Sequence, residues 1–239
     1  MSKRTIVAVI LDQSGSMETC RAATISAFNE YVNDLKRDPQ DDLLLALTKF
    51  NTVCEVVHDP KAITEVAEMS RDTYTPAGNT ALYDAIAETV EATEKHVQAD
   101  DKVLCVIITD GEENSSKETT RDQALALIKG KEALGNWTFA YIGANQDAWA
   151  VGAGLGIASG NTMHYAATPQ GYAGMSARLA HSTSSYRATT AAGGRTDSLF
   201  SPGPPKPTVT AIANQPTGTA VDALNERLRK PKRRKGAVQ

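Results

Sequence analysis

The chain has 239 residues, of which 41% are hydrophobic and 22% are charged, proportions that suffice for a globular domain with a sizeable core. No stretch approaches the roughly 20 apolar residues of a membrane-spanning helix, and the apolar run Ile6–Leu11 is too short for a secretory signal. We therefore expect a soluble cytoplasmic protein. The three cysteines are an odd number without metal-ligand spacing, which argues against a disulfide framework or a zinc ribbon.

The net charge of −3 conceals two parts of opposite sign. Residues 1–187 carry 16 Lys and Arg against 25 Asp and Glu, whereas residues 188–239 carry 9 against 3. The second part also contains Ser201–Pro207, a Pro-rich segment that cannot enter a helix or the interior of a sheet. We predict one folded domain over residues 1–187, followed by a Pro-rich linker and a disordered basic tail over residues 188–239, with one short helix over Val221–Arg229.

The first half of the predicted domain alternates strand and helix patterns. Thr5–Leu11 is continuously apolar and rich in β-branched residues, as a strand buried on both faces should be. Apolar residues then recur every three or four positions over Met17–Leu35, which predicts a helix. A strand over Leu43–Phe50, a weaker edge strand over Val53–Val57 and a helix over Leu82–Val97 follow.

The second half repeats this alternation. Val103–Thr109 is a second continuously apolar strand pattern. The remaining predicted elements are a helix over Ala124–Leu134, a strand over Thr138–Ile142, a short helix over Asp147–Leu155, a weak edge strand over Thr162–Tyr165 and a helix over Tyr172–Tyr186. Such alternation predicts an α/β fold in which helices cover both faces of a mostly parallel sheet.

Both strongly apolar strands run into an aspartate, Asp12 after the first and Asp110 after the second. In open parallel sheets, ligands bind beyond the carboxyl ends of the strands, so we expect the two carboxylates to face one crevice. Asp12 is followed by Ser14 and Ser16 on a tight turn. Thr80 lies just before the predicted helix over Leu82–Val97. These five side chains are the candidate functional constellation.

The two carboxylates and three hydroxyls are all hard oxygen donors, which suit Mg²⁺ or Mn²⁺ better than zinc. Two carboxylates just balance the charge of a divalent cation. If the hydroxyls are direct ligands, at least one octahedral position stays open, and an Asp or Glu carboxylate of a partner protein is a natural occupant. This donor set favours a metal-dependent protein-binding module.

The segment Asp12–Ser16 reads D-Q-S-G-S and resembles the D-x-S-x-S signature of von Willebrand factor type A (VWA) domains. Thr80 and Asp110 match the downstream Thr and Asp of that family. The resemblance covers Lys3 to Arg187 and implies a doubly wound, Rossmann-like sheet of six strands in the order 3-2-1-4-5-6, with one antiparallel edge strand. It also implies a metal-ion-dependent adhesion site (MIDAS), whose hydroxyls ligate the metal while the carboxylates bind directly or through water.

Stand-alone relatives in bacteria and phages often work as assembly or adaptor subunits, and the resemblance leaves an ATPase complex of the chelatase type open. Around the expected metal site, Gln13, Asn79, Glu112 and Glu113 are candidates for contact with the partner. A merely solvated turn is the alternative for the acidic loop after Asp110.

The basic tail provides an alternative function, because it places seven positive charges within nine residues. Such a run binds nucleic acid or another polyanion through phosphate contacts, or simply keeps the protein in solution. The seven residues are Arg227, Arg229, Lys230, Lys232, Arg233, Arg234 and Lys235.

A Mg²⁺-dependent phosphoryl-transfer enzyme is a weaker alternative. Phosphatases with an aspartate at a strand end use a D-x-D motif whose second Asp acts as acid or base, and Ser14 occupies that position here. No G-x-S-x-G elbow of a serine hydrolase surrounds this serine either. We therefore expect a binding module rather than an enzyme.

Overall fold

The computed structural model describes residues 4–37, 42–194, 196 and 198–200. Its strands join into one sheet in the order β3-β2-β1-β4-β5-β6, in which only β2 and β3 pair antiparallel. This arrangement confirms the predicted doubly wound, mostly parallel sheet. The strands are β1 Thr5–Asp12, β2 Leu43–Phe50, β3 Cys54–Ala62, β4 Lys102–Thr109, β5 Trp137–Gly143 and β6 Thr162–His164.

The first four helices lie between strands and the fifth follows β6, all in the predicted places, but their ends differ from the sequence pattern. Within the described ranges they are α1 Arg21–Arg37, α2 Leu82–Glu94, α3 Arg121–Ala133, α4 Ala148–Gly154 and α5 Pro169–Ala191. The first turn predicted for α1 is a separate 3₁₀ segment, Gly15–Cys20. In the part of the chain that the structure describes, none of these helices has the length and apolar character of a membrane span.

The core has two layers because the side chains of β1 alternate between the two faces of the sheet. Val7 and Val9 are buried with residues of α1 and α5, whereas Ile6 and Ile10 are buried with residues of α2 and α3. A strand covered on both faces needs an apolar side chain at every position. This requirement explains why β1 shows no alternation of polar and apolar residues.

The chain divides into two units after Gly203, and the second, residues 204–239, lies outside the described residues together with the predicted tail helix. The domain boundary predicted at Arg187 falls inside α5. Beyond this helix, Leu199 and Phe200 are buried in the core layer that contains α1 and α5. The Leu199 amide donates a hydrogen bond of 2.9 Å to Asn161 Oδ1.

The boundary stays a prediction, and a core variant beyond Arg187 tests it. The Phe200 side chain is 2% exposed, and the Arg178 guanidinium lies 6.0 Å from its ring centroid. We expect Phe200→Ala to lower the free energy of unfolding by about 3–5 kcal/mol, as truncation of a buried aromatic side chain does. Urea denaturation measures this loss.

The matched control is Leu134→Ala, because Leu134 is 66% exposed and its truncation should change stability by no more than about 0.5 kcal/mol. A Phe200→Ala protein as stable as this control would place Phe200 outside the cooperative domain and would favour a boundary at Arg187.

Candidate metal centre

The parallel pairing of β1 with β4 brings the two predicted aspartates to one edge of the sheet. Leu11 pairs with Ile108 in the register of these strands, so Asp12 is level with Thr109 and lies close to the position where Asp110 follows β4. Asp12 is 0% exposed and Asp110 is also buried. Both carboxylates therefore face a site largely shielded from water.

The turn after β1 is organised by Asp12 itself. Its Oδ1 accepts a hydrogen bond of 2.6 Å from the backbone N–H of Ser14, a local bond typical of Asp in turns. The Ser14 and Ser16 hydroxyl oxygens lie 3.1 Å apart, and the Ser16 hydroxyl donates to Asp110 Oδ1 at 2.6 Å. A continuous chain of polar groups thus joins the end of β1 to the end of β4.

Gly111, which directly follows Asp110, lies where the segment that contains Thr80 meets the segment that contains Asp12. A Cβ atom built on Gly111 would lie 2.8 Å from Thr80 Oγ1, 3.4 Å from Asp12 Oδ2 and 3.5 Å from Ser14 Oγ. Oxygen atoms from the two segments that contain Asp12 and Thr80 therefore surround one small space beside the backbone of Gly111. The absence of a side chain at this glycine keeps that space open.

The Thr80 hydroxyl is not used to cap the helix that it precedes. The N-cap of α2 is Ala81, and no side-chain cap bond forms there. Thr80 is buried, and within the described residues its hydroxyl makes no hydrogen bond. Its oxygen is therefore free to serve as a ligand.

Two further residues, which lie outside the D-x-S-x-S motif, hold Asp12 in place. The Thr109 hydroxyl donates to Asp12 Oδ2 at 2.5 Å, and the Tyr74 hydroxyl donates to the Asp12 backbone carbonyl at 2.6 Å. Thr109 had a sequence signal, since it is a polar residue at the end of an otherwise apolar strand. Tyr74 had none, because 62 residues separate it from Asp12.

Burial raises the pKa of Asp12 above its ordinary value, and the neighbouring Asp110 carboxylate raises it further. Hydrogen bonds from Thr109 and Ser14 act in the opposite direction, because they favour the ionised form. A buried carboxylate without a counter-ion is costly. A bound cation would therefore stabilise the ionised form of Asp12.

The donor set fits a hard divalent cation. In the described ranges, no three His, Cys, Asp or Glu side chains form a group that suits a metal ion. The centre instead combines the carboxylates of Asp12 and Asp110 with hydroxyl oxygens, the chemistry that Mg²⁺ and Mn²⁺ accept and that a typical zinc site lacks.

The four residues suggested for partner contact differ in their surroundings. Asn79 and Glu112 are exposed near the site. Gln13 is buried, and its Oε1 accepts a hydrogen bond from the Thr75 amide. Glu113 is half-buried and accepts hydrogen bonds within its own loop and from α2. The seven basic residues of Arg227–Lys235 lie outside the described residues.

No protein-family model and no curated protein sequence matches the chain, but solved structures share its fold. Proximal thread matrix protein 1 from the mussel byssus superposes with a TM-score of 0.61 at 12% identity, over 75% of this chain and 46% of that protein. A second structure of it, with TM-score 0.57 and 12% identity over 75% of this chain and 45% of that one, is described as having a zinc-occupied MIDAS motif.

A von Willebrand factor type A protein from Catenulispora acidiphila matches with a TM-score of 0.54 at 18% identity, over 76% of this chain and 43% of that one. The SpRpn10 VWA domain matches with a TM-score of 0.53 at 13% identity, over 72% of this chain and 93% of that domain. The chain thus spans less than half of the mussel and Catenulispora proteins and nearly all of the isolated domain. It has the fold of a von Willebrand factor type A domain.

Proposed function

We propose that the protein is a metal-dependent protein-binding module. In this proposal Asp12, Ser14, Ser16, Thr80 and Asp110 hold Mg²⁺ or Mn²⁺, and an Asp or Glu carboxylate of a partner protein completes the coordination. The main support is the convergence of Asp12 Oδ2, Ser14 Oγ and Thr80 Oγ1 around one space beside Gly111. When bound, the cation would supply an electrophilic contact for the partner's carboxylate.

The fold supports the metal part of this proposal. The mussel neighbour described with a zinc-occupied MIDAS motif indicates that a divalent cation can occupy this kind of site on this fold. The preference for Mg²⁺ or Mn²⁺ is argued from the oxygen donors alone. The exposed Asn79 and Glu112 are the rim residues that we propose for partner contact, because Gln13 and Glu113 are engaged in internal hydrogen bonds.

We also propose that the module is not an enzyme. Ser14 stands at the position where a D-x-D phosphatase needs its second acid. Its hydroxyl lies within the chain of polar groups that joins Asp12 to Asp110, and in this proposal the carboxylates beside it are metal ligands rather than a base that would make it a nucleophile. Positioning of a cation for a second protein requires no such base.

Partner capture should depend on the metal. We expect affinity capture from the native host with the full-length protein to retain a carboxylate-bearing protein in Mg²⁺ and to lose it in EDTA. Asp110→Asn should lose the same protein even in Mg²⁺. The control is Asp100→Asn, because Asp100 is an exposed carboxylate in the turn that precedes β4. Equal capture in Mg²⁺ and in EDTA contradicts the proposed function.

Asp12→Asn should have opposite effects on the metal-free and the metal-bound protein. In EDTA at pH 7 we expect the variant to unfold at a higher temperature than the wild type, because it removes a buried charge whose folded-state pKa is raised. This advantage should shrink as the pH falls through the raised pKa, where Asp12 of the folded wild type becomes protonated.

With metal, the order reverses. A ligand at 100 times its dissociation constant stabilises the fold by about 2.7 kcal/mol, or roughly 5–10 °C in melting temperature for a domain of this size. Mg²⁺ should produce such a rise in the wild type and none in Asp12→Asn. Thermal unfolding followed by circular dichroism gives both comparisons, and a Mg²⁺-induced rise in the variant would contradict the ligand role of Asp12.

Gly111→Ala should abolish metal binding without unfolding the protein. The new Cβ would lie 2.8 Å from Thr80 Oγ1, so it fills the space that the donors surround. Gly130→Ala in α3 is the matched control, because its Cβ would meet nothing within 4 Å and should stabilise the helix by about 0.5–1 kcal/mol. Isothermal titration calorimetry with Mn²⁺ should show binding for the control and none for Gly111→Ala; equal affinities would place the metal elsewhere.

A further inference from the structure

The loop that follows Asp110 also holds Thr80, although 30 residues separate these two positions in the sequence. We define residues 111–119 as the β4 loop. Asn114 in this loop makes two hydrogen bonds to Thr80: its Oδ1 accepts from the Thr80 amide at 2.9 Å, and its own amide donates to the Thr80 carbonyl at 3.0 Å. These bonds run in opposite directions, so they fix the peptide groups on both sides of the Thr80 Cα atom.

The β4 loop also caps the helix that Thr80 precedes. The first N–H groups of a helix have no partner within it, and a Thr or Ser beside the first turn ordinarily accepts from them. Here the Tyr83 amide donates to Glu113 Oε2 and to Ser116 Oγ, both at 3.1 Å. Because the loop provides these acceptors, the Thr80 hydroxyl is not needed as a cap and is left to the site.

The contacts are reciprocal, which makes the loop and the start of α2 one hydrogen-bonded unit. The Asp84 carboxylate in the first turn of α2 accepts from the amides of Lys117 at 2.8 Å, of Glu118 at 3.2 Å and of Thr119 at 2.7 Å. The unit contains Thr80, and the loop within it begins directly after Asp110. The positions of the two proposed metal ligands Thr80 and Asp110 are therefore fixed by the same set of hydrogen bonds.

We propose that Asn114 is a positioning residue of the metal centre, which orients Thr80 so that its hydroxyl faces the cation; this inference rests on the proposed function. A hydroxyl is a neutral ligand, so its contribution depends on how accurately its oxygen is held. Groups that orient metal ligands by hydrogen bonding typically change metal affinity by about 10–100-fold when they are removed. Asn114 acts on the centre through Thr80.

The test uses the full-length protein and its Asn114→Ala, Asn114→Asp and Ser115→Ala variants. We expect Mn²⁺ affinity, measured by titration calorimetry, to fall by about 10–100-fold in Asn114→Ala. Asn114→Asp keeps the acceptor for the Thr80 amide and should bind Mn²⁺ as tightly as the wild type or tighter. Ser115→Ala is the matched control, because the buried Ser115 hydroxyl has no hydrogen-bond partner among the described residues, and its affinity should not change.

A second measurement separates positioning from a general loss of stability. Hydrogen exchange of the Thr80 amide in EDTA should be faster in Asn114→Ala than in the wild type and Ser115→Ala. If Asn114→Ala does not fold, Asn114→Gln, whose longer side chain misplaces the acceptor, should show the same weakened Mn²⁺ binding.

Each outcome bears on the inference. Wild-type Mn²⁺ affinity in a folded Asn114→Ala protein overturns it, as does an Asn114→Asp protein that loses as much affinity as Asn114→Ala. A wild-type protein that binds no Mn²⁺ overturns the proposed metal centre as well, so failure of the inference alone is distinguished from failure of the function.

Discussion

The parallel pairing of β1 with β4 is the constraint on which the rest of the site depends. It brings Asp12 and Asp110 together at the carboxyl ends of the strands, where burial removes both carboxylates from water. The cost is offset by donors that the fold supplies: the Ser14 amide and the Thr109 hydroxyl for Asp12, and the Ser16 hydroxyl for Asp110. An ionised carboxylate can accept several hydrogen bonds, so these contacts leave lone pairs for a ligand.

The same constraint sets stability against function. Burial of the Asp12 carboxylate destabilises the metal-free fold at neutral pH, because burial raises the pKa of Asp12 and the neighbouring Asp110 carboxylate raises it further. An arrangement of this kind persists in a folded protein when the surrounding structure holds it firmly. Asp12 is the last residue of β1 and Asp110 directly follows β4, whereas the hydroxyls come from the turn and the 3₁₀ segment after β1 and from the loop before α2. The sheet and the loops are tied together by the bond from Ser16 to Asp110 and by the contacts of the β4 loop with α2.

The fold and the site tolerate sequence change differently. Structures that are only 12–18% identical to this chain share its architecture, because a two-layer core requires apolar residues of suitable volume rather than particular ones. A shared fold does not fix a function, which depends on the residues grafted on it. For this chain we propose that those residues are the five oxygen donors and the glycine between them, and their partner is proposed from chemistry rather than from the fold.

The amino-acid pattern by itself determined the order of strands and helices, because two continuously apolar strands and the helical repeats between them admit few other architectures. Resemblance to the D-x-S-x-S signature added the strand order, and the motif placed Asp12, Ser14 and Ser16 on one turn. Element ends were less predictable: the first turn of the α1 pattern is a separate 3₁₀ segment, Gly15–Cys20.

Only the tertiary structure decided which groups support the donors. Tyr74 and Asn114 carry no local signal, because each acts on a residue distant in sequence. Glu113, which looked like a rim residue from its charge, accepts hydrogen bonds at the start of α2. Periodicity and short motifs report what a residue does for its own element, whereas hydrogen bonds between loops depend on how the elements pack.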